Sequence, residues 1–181
     1  MFAQYQAWSD EALAALAPLQ DPPLADTVIA LGNLGSHPLH LLANAFVVDH
    51  YCHLRHDVLQ PGGPIARPPL PADDTRLRPT LEWMLGGLPQ MCAAGLATMD
   101  RPLVLVFEGP AASSWVIRPA VDDGFVTVVE GTDGDAMATV TTSAHDFVQW
   151  GTQRRDWRTL DVRVDGDAAY AAAVLDVFNV I

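Results

Sequence analysis

Nine residues, Asp49-His50-Tyr51-Cys52-His53-Leu54-Arg55-His56-Asp57, carry three of the chain's six histidines and two carboxylates. Groups of this kind bind divalent cations, move protons or pair with one another, and spacing decides among those uses. On an α-helix advancing about 100° per residue, Asp49 and His53 lie one turn apart, about 6 Å along the axis, and converge as i, i+4 metal ligands do. His56 lies about 10 Å from Asp49, too far to share an ion whose ligand atoms each sit about 2 Å away. Asp49 and His53 are therefore the candidate metal ligands. Two donors do not close a shell, and the same spacing also suits a hydrogen-bonded acid–imidazole pair.

The element that positions them is a helix expected from Pro38, a first-turn proline capped by Ser36 or His37, to about Leu59. Leu42, Phe46, Asp49, His53 and His56 fall within an arc of roughly 80° on it, so polar groups interrupt an apolar stripe. Upstream, Ser9-Asp10-Glu11 is expected to cap a helix to about Leu16, stopped by Pro18, Pro22 and Pro23. The segment ADTVIALGNLGS reads as a connector, and QPGGPIARPPLPADD as an extended surface loop. A third helical region, PTLEWMLGGLPQMCAAGLATM, starts near Pro79 and is bent or broken at Gly86-Gly87 and Pro89.

From Arg101 the period shortens to two. LVLVFEG, SWVIRPA, FVTVVEG and AMATVTTS, separated by turn residues, predict consecutive antiparallel strands. Ser143 and Asp146 form a capping box for a helix over Ala144–Arg155, LDVRV is a fifth strand, and Asp165-Gly166-Asp167 leads into a last helix over Ala168–Phe178. The fold class is α+β, with helices over 1–100 and a mainly antiparallel sheet with two helices over 101–181.

Composition narrows the partners. Ten arginines and no lysine face 22 acidic residues, and a formal charge of −12 repels a phosphate backbone, which argues against nucleic acid. No apolar run is long enough for a membrane span, and no signal-like stretch opens the chain. Two cysteines, Cys52 and Cys92, suit free thiols in a reducing cytoplasm. Neither sits in a catalytic motif, so packing is their expected role.

The stretch LGSHPLHLLANAFVVDHYCHLRHDVLQPGGP resembles the metal-binding helix of the mycothiol-dependent maleylpyruvate isomerase family, within the wider DinB-like bundles. Asp49 and His53 match the family's Asp/Glu-x-x-x-His positions. The second half looks like the sterol-carrier-type domain appended to many of those bundles, and Arg154 in GTQRR stands where that domain presents an arginine to the cleft. The resemblance implies a partial DinB-like bundle, a divalent metal, usually zinc, and mycothiol as co-substrate. It also implies an isomerase or transferase on a small-molecule substrate, with Arg154 gripping a substrate carboxylate. The family's bundle has an earlier helix bearing a first His, for which His37 and His40 are no substitutes. A homo-oligomer, most simply a dimer, would then complete the site. The alternatives, each with a degenerate metal site, are a non-catalytic module that holds a small apolar ligand between the sheet and the helices Ala144–Arg155 and Ala168–Phe178, and an assembly protein whose partial bundle leaves apolar helix faces to be covered.

Overall fold

The computed structural model describes residues 1–60, 62–122 and 124–180. Its helices are α1 (Phe2–Leu16), α2 (Leu42–Asp49), α3 (Asp74–Met91), α4 (Ala93–Leu96), α5 (Ala144–Gly151) and α6 (Ala168–Leu175). Its strands are β1 (Val28–Ala30), β2 (Ser36–Pro38), β3 (Leu103–Glu108), β4 (Ser113–Arg118), β5 (Thr127–Glu130), β6 (Ala138–Ser143) and β7 (Arg163–Gly166). None of these helices is long and apolar enough to cross a membrane.

The alternating runs of the second half form one five-stranded sheet in the order β5-β4-β3-β6-β7. Pairing is antiparallel except at the centre, where β6 lies parallel to β3. The expectation of consecutive antiparallel strands thus fails at β6, which crosses from the β5 edge to the far side of β3. Register puts Leu103 beside Ile117 and Ala138, and Leu105 beside Trp115 and Val140, so one face of the sheet is continuously apolar. Ser143 caps α5 by accepting the Asp146 amide at 3.0 Å, and Asp167 caps α6 through the amides of Ala169 and Tyr170, both as the sequence implies. Thr152 and the left-handed Gln153 (φ 54°) end α5 before Arg155.

A single apolar core runs from Tyr51 to Val180 and includes Leu77, Leu81, Met84, Leu85 and Leu88 of α3. α3 packs on α5 and β5, and α2 packs on α3. α3 begins five residues ahead of Pro79, because Asp73 accepts the Arg76 amide at 3.0 Å and so supplies the cap. It continues through Pro79, Gly86-Gly87 and Pro89 without a break. At its far end, a Cβ on Gly151 would stand 3.0 Å from Met84 Cε, so the glycine lets α5 approach α3 closely.

Upstream, the outcome departs further from expectation. α1 starts at Phe2, with Ser9 and Asp10 inside it, because Ala3, Gln4, Gln6 and Ala7 favour helix and nothing in that stretch breaks it. The connector forms a hairpin, with Ile29 paired to His37, so Pro38 closes a strand and does not open a helix. After α2 the chain tightens no further: His50–Val58 is a π-helix, with Leu59 donating to the Leu54 carbonyl five residues back at 2.7 Å.

The apolar centre between the sheet and the two C-terminal helices is filled. The Phe147 ring lies 5.2 Å from Phe107 and 4.9 Å from Trp150, and Trp150 stacks 5.4 Å from Phe178. Beside this ring cluster a cavity of about 310 Å³ opens, whose walls include Trp150, Gln153, Arg155, Trp157, Leu175 and Phe178. Truncating the central ring, Phe147→Ala, is expected to cost about 3–5 kcal/mol of stability through the cavity it leaves. Urea denaturation checks this, and a loss below about 1 kcal/mol would contradict such packing.

Candidate functional site

Side chains four apart lie one above the other on successive helical turns. Here Asp49, His53 and Asp57 form a row: His53 Nε2 lies 3.7 Å from Asp49 Oδ1, and His53 Nδ1 lies 2.8 Å from Asp57 Oδ2. Asp57 thus joins the pair, while the His56 ring lies 5.1 Å from that of His145.

The row continues across the chain. Arg154, just past α5, donates from Nε to Asp57 Oδ1 and from Nη2 to Asp57 Oδ2, both at 2.7 Å. The side-on fork and the hydrogen bond from His53 hold the Asp57 carboxyl at about 2, well below the usual carboxylate range. The three residues singled out in the sequence, Asp49, His53 and Arg154, therefore come together, although 101 positions separate His53 from Arg154. They line a cavity of about 250 Å³ whose other walls include Leu34, Ala45, Val48, Trp83, Met91 and Val180.

As a metal centre the donor set falls short. Asp49 and His53 are the two convergent donors, and the second nitrogen of His53 is taken by Asp57. The Arg154 guanidinium stands 3.5 Å from that same imidazole, a cation where a metal shell needs an anion or a lone pair. Among the described residues no group of three His, Cys, Asp or Glu side chains is arranged to hold an ion. The side chains of Asp49 and His53 are 73% and 60% exposed, so water already satisfies them. Arg154, expected to grip a substrate carboxylate, spends its fork on Asp57.

The remaining candidates have structural partners. His37 is 1% exposed, stacks 4.1 Å from the Trp83 ring and bonds the Leu34 carbonyl at 2.8 Å. His40 bonds the Ala25 carbonyl, and His50 turns back on the Phe46 carbonyl of its own helix. Cys52 lines the cavity, but burial pushes its thiol up to about 11, and burial raises Cys92 as well, so neither is a ready nucleophile.

A second polar cluster escaped the sequence entirely. Tyr51 Oη lies 2.9 Å from His145 Nδ1, and the His56 ring lies 5.1 Å from that of His145. It ties the π-helix to the first turn of α5, as Arg154 ties it to the last. Nothing in the local pattern links residues 94 apart. Burial raises the Tyr51 hydroxyl to about 12, and burial with the neighbouring His145 lowers His56 to about 4; burial lowers His145 too.

No protein-family model matches the sequence, and no curated protein matches it. Solved structures similar to parts of it include the inverting sec-alkylsulfatase Pisa1 from Pseudomonas sp., at 18% identity and TM-score 0.44 over 55% of this chain. Sterol carrier protein 2 from Yarrowia lipolytica, in its apo form, is similar at 22% identity and TM-score 0.36, covering 47% of this chain and 77% of its own. UbiJ-SCP2, a ubiquinone synthesis protein, is similar at 18% identity and TM-score 0.38, covering 59% of this chain and 88% of its own. This chain spans only 16% of the length of the alkylsulfatase. The α+β class and the five-stranded, mainly antiparallel sheet rest on the strand order and register described above. Nothing in these comparisons supports membership of the maleylpyruvate isomerase family.

The titrations give a pH dependence with a definite sign. Below the ordinary histidine value of 6.5 the unfolded chain binds a proton that His56 in the folded protein refuses until about 4. Stability should therefore fall as pH drops across that window, and His145 adds in the same direction. Asp57 acts lower, its contribution being present above the ordinary 3.8 and lost as pH approaches about 2. Denaturation midpoints measured across the range should show the first slope flattened in His56→Leu, and an unchanged slope would refute the assignment.

Proposed function

We propose that the protein is a non-catalytic binding module for a small, mainly apolar molecule, held in the cavity between α2, the π-helix, α3 and the end of α5. The observation that carries this reading is the open space of about 250 Å³, walled by Leu34, Val48, Trp83, Met91 and Val180. It approaches the size range of small-molecule pockets, and its few polar groups stand together on one side. Those groups set the ligand's polar end. Arg154 and Asp57 neutralise each other, leaving the Asp49 carboxylate and the His53 imidazole to face the occupant. A hydroxyl or another uncharged donor suits that edge, and a carboxylate does not.

A titration of the protein with 2-naphthol, an uncharged aromatic alcohol, followed by calorimetry tests this. Saturable one-to-one binding is expected, reduced at least tenfold in Ala45→Phe, which fills the cavity, with the circular dichroism spectrum retained. Heats that do not saturate, or equal binding by the filled variant, would defeat the proposal.

One observation keeps an enzymatic reading in view: Asp49, His53 and Arg154 share a cavity wall. A zinc- and mycothiol-dependent isomerase or transferase would need a further donor, which a second copy of the chain would have to bring. On the two-donor geometry, zinc added to the protein and then dialysed is expected to be lost. Retention of one equivalent, abolished by Asp49→Ala and by His53→Ala, would reverse the order of the two readings.

A further inference from the structure

On the opposite side of the π-helix lies a second, larger cavity of about 430 Å³, walled by Leu13 and Leu16 of α1, by Val47, Leu54 and Leu70, and by the Tyr51 ring. Its volume falls inside the range of small-molecule sites. The charged residues along it are Arg55 and Arg76, and no carboxylate lines it. The two arginines differ in a way that matters. Arg76 pairs with Asp73, which accepts both its backbone amide and its guanidinium.

Arg55 has no such partner. It is 7% exposed, the most deeply buried arginine of the chain. Nη1 donates to the Leu70 carbonyl at 2.6 Å, Nη2 donates to the Pro71 carbonyl at 2.7 Å, and the guanidinium lies 4.2 Å over the Tyr51 ring. Carbonyls and a π face orient the cation without neutralising it. Among the described residues no carboxylate comes within ion-pair distance, in a protein with 22 acidic side chains and a net charge of −12. A buried charge without a counter-ion is costly, and surface acids were available to supply one. Tyr51, His56 and His145 lie within reach of the Arg55 charge, and Asp73, the acid that acts on Tyr51, is paired with Arg76.

We propose that this cavity binds a medium-chain aliphatic carboxylate, its tail between α1 and the π-helix and its headgroup on Arg55. The ligand would furnish the counter-charge the fold withholds. The fixed guanidinium, anchored to the proline-rich segment at Leu70 and Pro71, presents its remaining N–H groups without further ordering. α1 buries none of its residues completely, so it supplies a wall that gains contact when the tail arrives. This site is separate from the cavity beside Asp49 and His53, and it holds whether or not that cavity is occupied.

Calorimetric titration with decanoate, decan-1-ol and decyltrimethylammonium, which share a tail and differ in headgroup charge, tests the proposal. Wild-type protein should bind decanoate saturably and at least tenfold more tightly than either of the others. Arg55→Lys should keep that preference in weakened form, and Arg55→Gln should lose it. Should Arg55→Gln fail to fold, Leu16→Asp serves instead: it leaves the core untouched, sets a carboxylate in the groove and should abolish decanoate binding. Ala45→Phe, which fills only the other cavity, should bind decanoate as the wild type does. Equal affinity for decanoate and decanol, unchanged preference in Arg55→Gln or Leu16→Asp, or loss of decanoate binding in Ala45→Phe would overturn the assignment.

Discussion

The fork from Arg154 to Asp57 is the interaction on which the rest of the site depends, because it ties the π-helix at His50–Val58 to the chain just past α5. Spacing by four residues sets Asp49, His53 and Asp57 in one row along that helix. That row meets Arg154, while Tyr51 and His56 on the same helix meet His145. Two contacts thus fasten the same segment to both ends of α5, and Cys52 lines the cavity beside Asp49, His53 and Arg154.

Phe107, Phe147, Trp150 and Phe178 pack ring against ring between the sheet and the C-terminal helices. Close-packed interiors admit guests only where large side chains stop short of one another. In this chain that happens beside Trp150 and Phe178, where a cavity of about 310 Å³ opens, and where the core meets the N-terminal elements. Short hairpin strands and a wide helix cannot interdigitate as regular α-helices do, and gaps of about 250 and about 430 Å³ remain on the two sides of the π-helix.

The second half of the fold was legible because its signals are local. Alternation marked the strands, and Ser143 and Asp167 marked two helix starts by a cap that needs only neighbours two or three residues on. The parallel pairing of β6 with β3 was not legible, since strand order depends on which apolar faces meet and not on any one strand's pattern. At the site, Asp49, His53 and Arg154 were found by type and by resemblance, and they do converge. Their partner Asp57 was missed although the i, i+4, i+8 spacing of Asp49, His53 and Asp57 was visible, because the Arg154 that grips it comes from 97 residues further along the chain. The hairpin at β1–β2 was hidden because three-residue strands carry too few residues to show a period.

The two sides of the π-helix also differ in how their charge is balanced, and this sets what each can hold. On one side the Arg154 cation lies between the arms of Asp57, with His53 and Asp49 beyond it, so positive and negative groups alternate and the field they cast into the cavity is weak or slightly negative. On the other side Arg55 faces apolar walls with carbonyl dipoles behind it, and among the described residues no carboxylate pairs with it. In a low-dielectric setting the second arrangement acts over a longer distance than the first. Phe46 lines both cavities. On the readings proposed for the two sides, selectivity would follow from whether each arginine already has a carboxylate, and not from apolar walls, which both cavities possess.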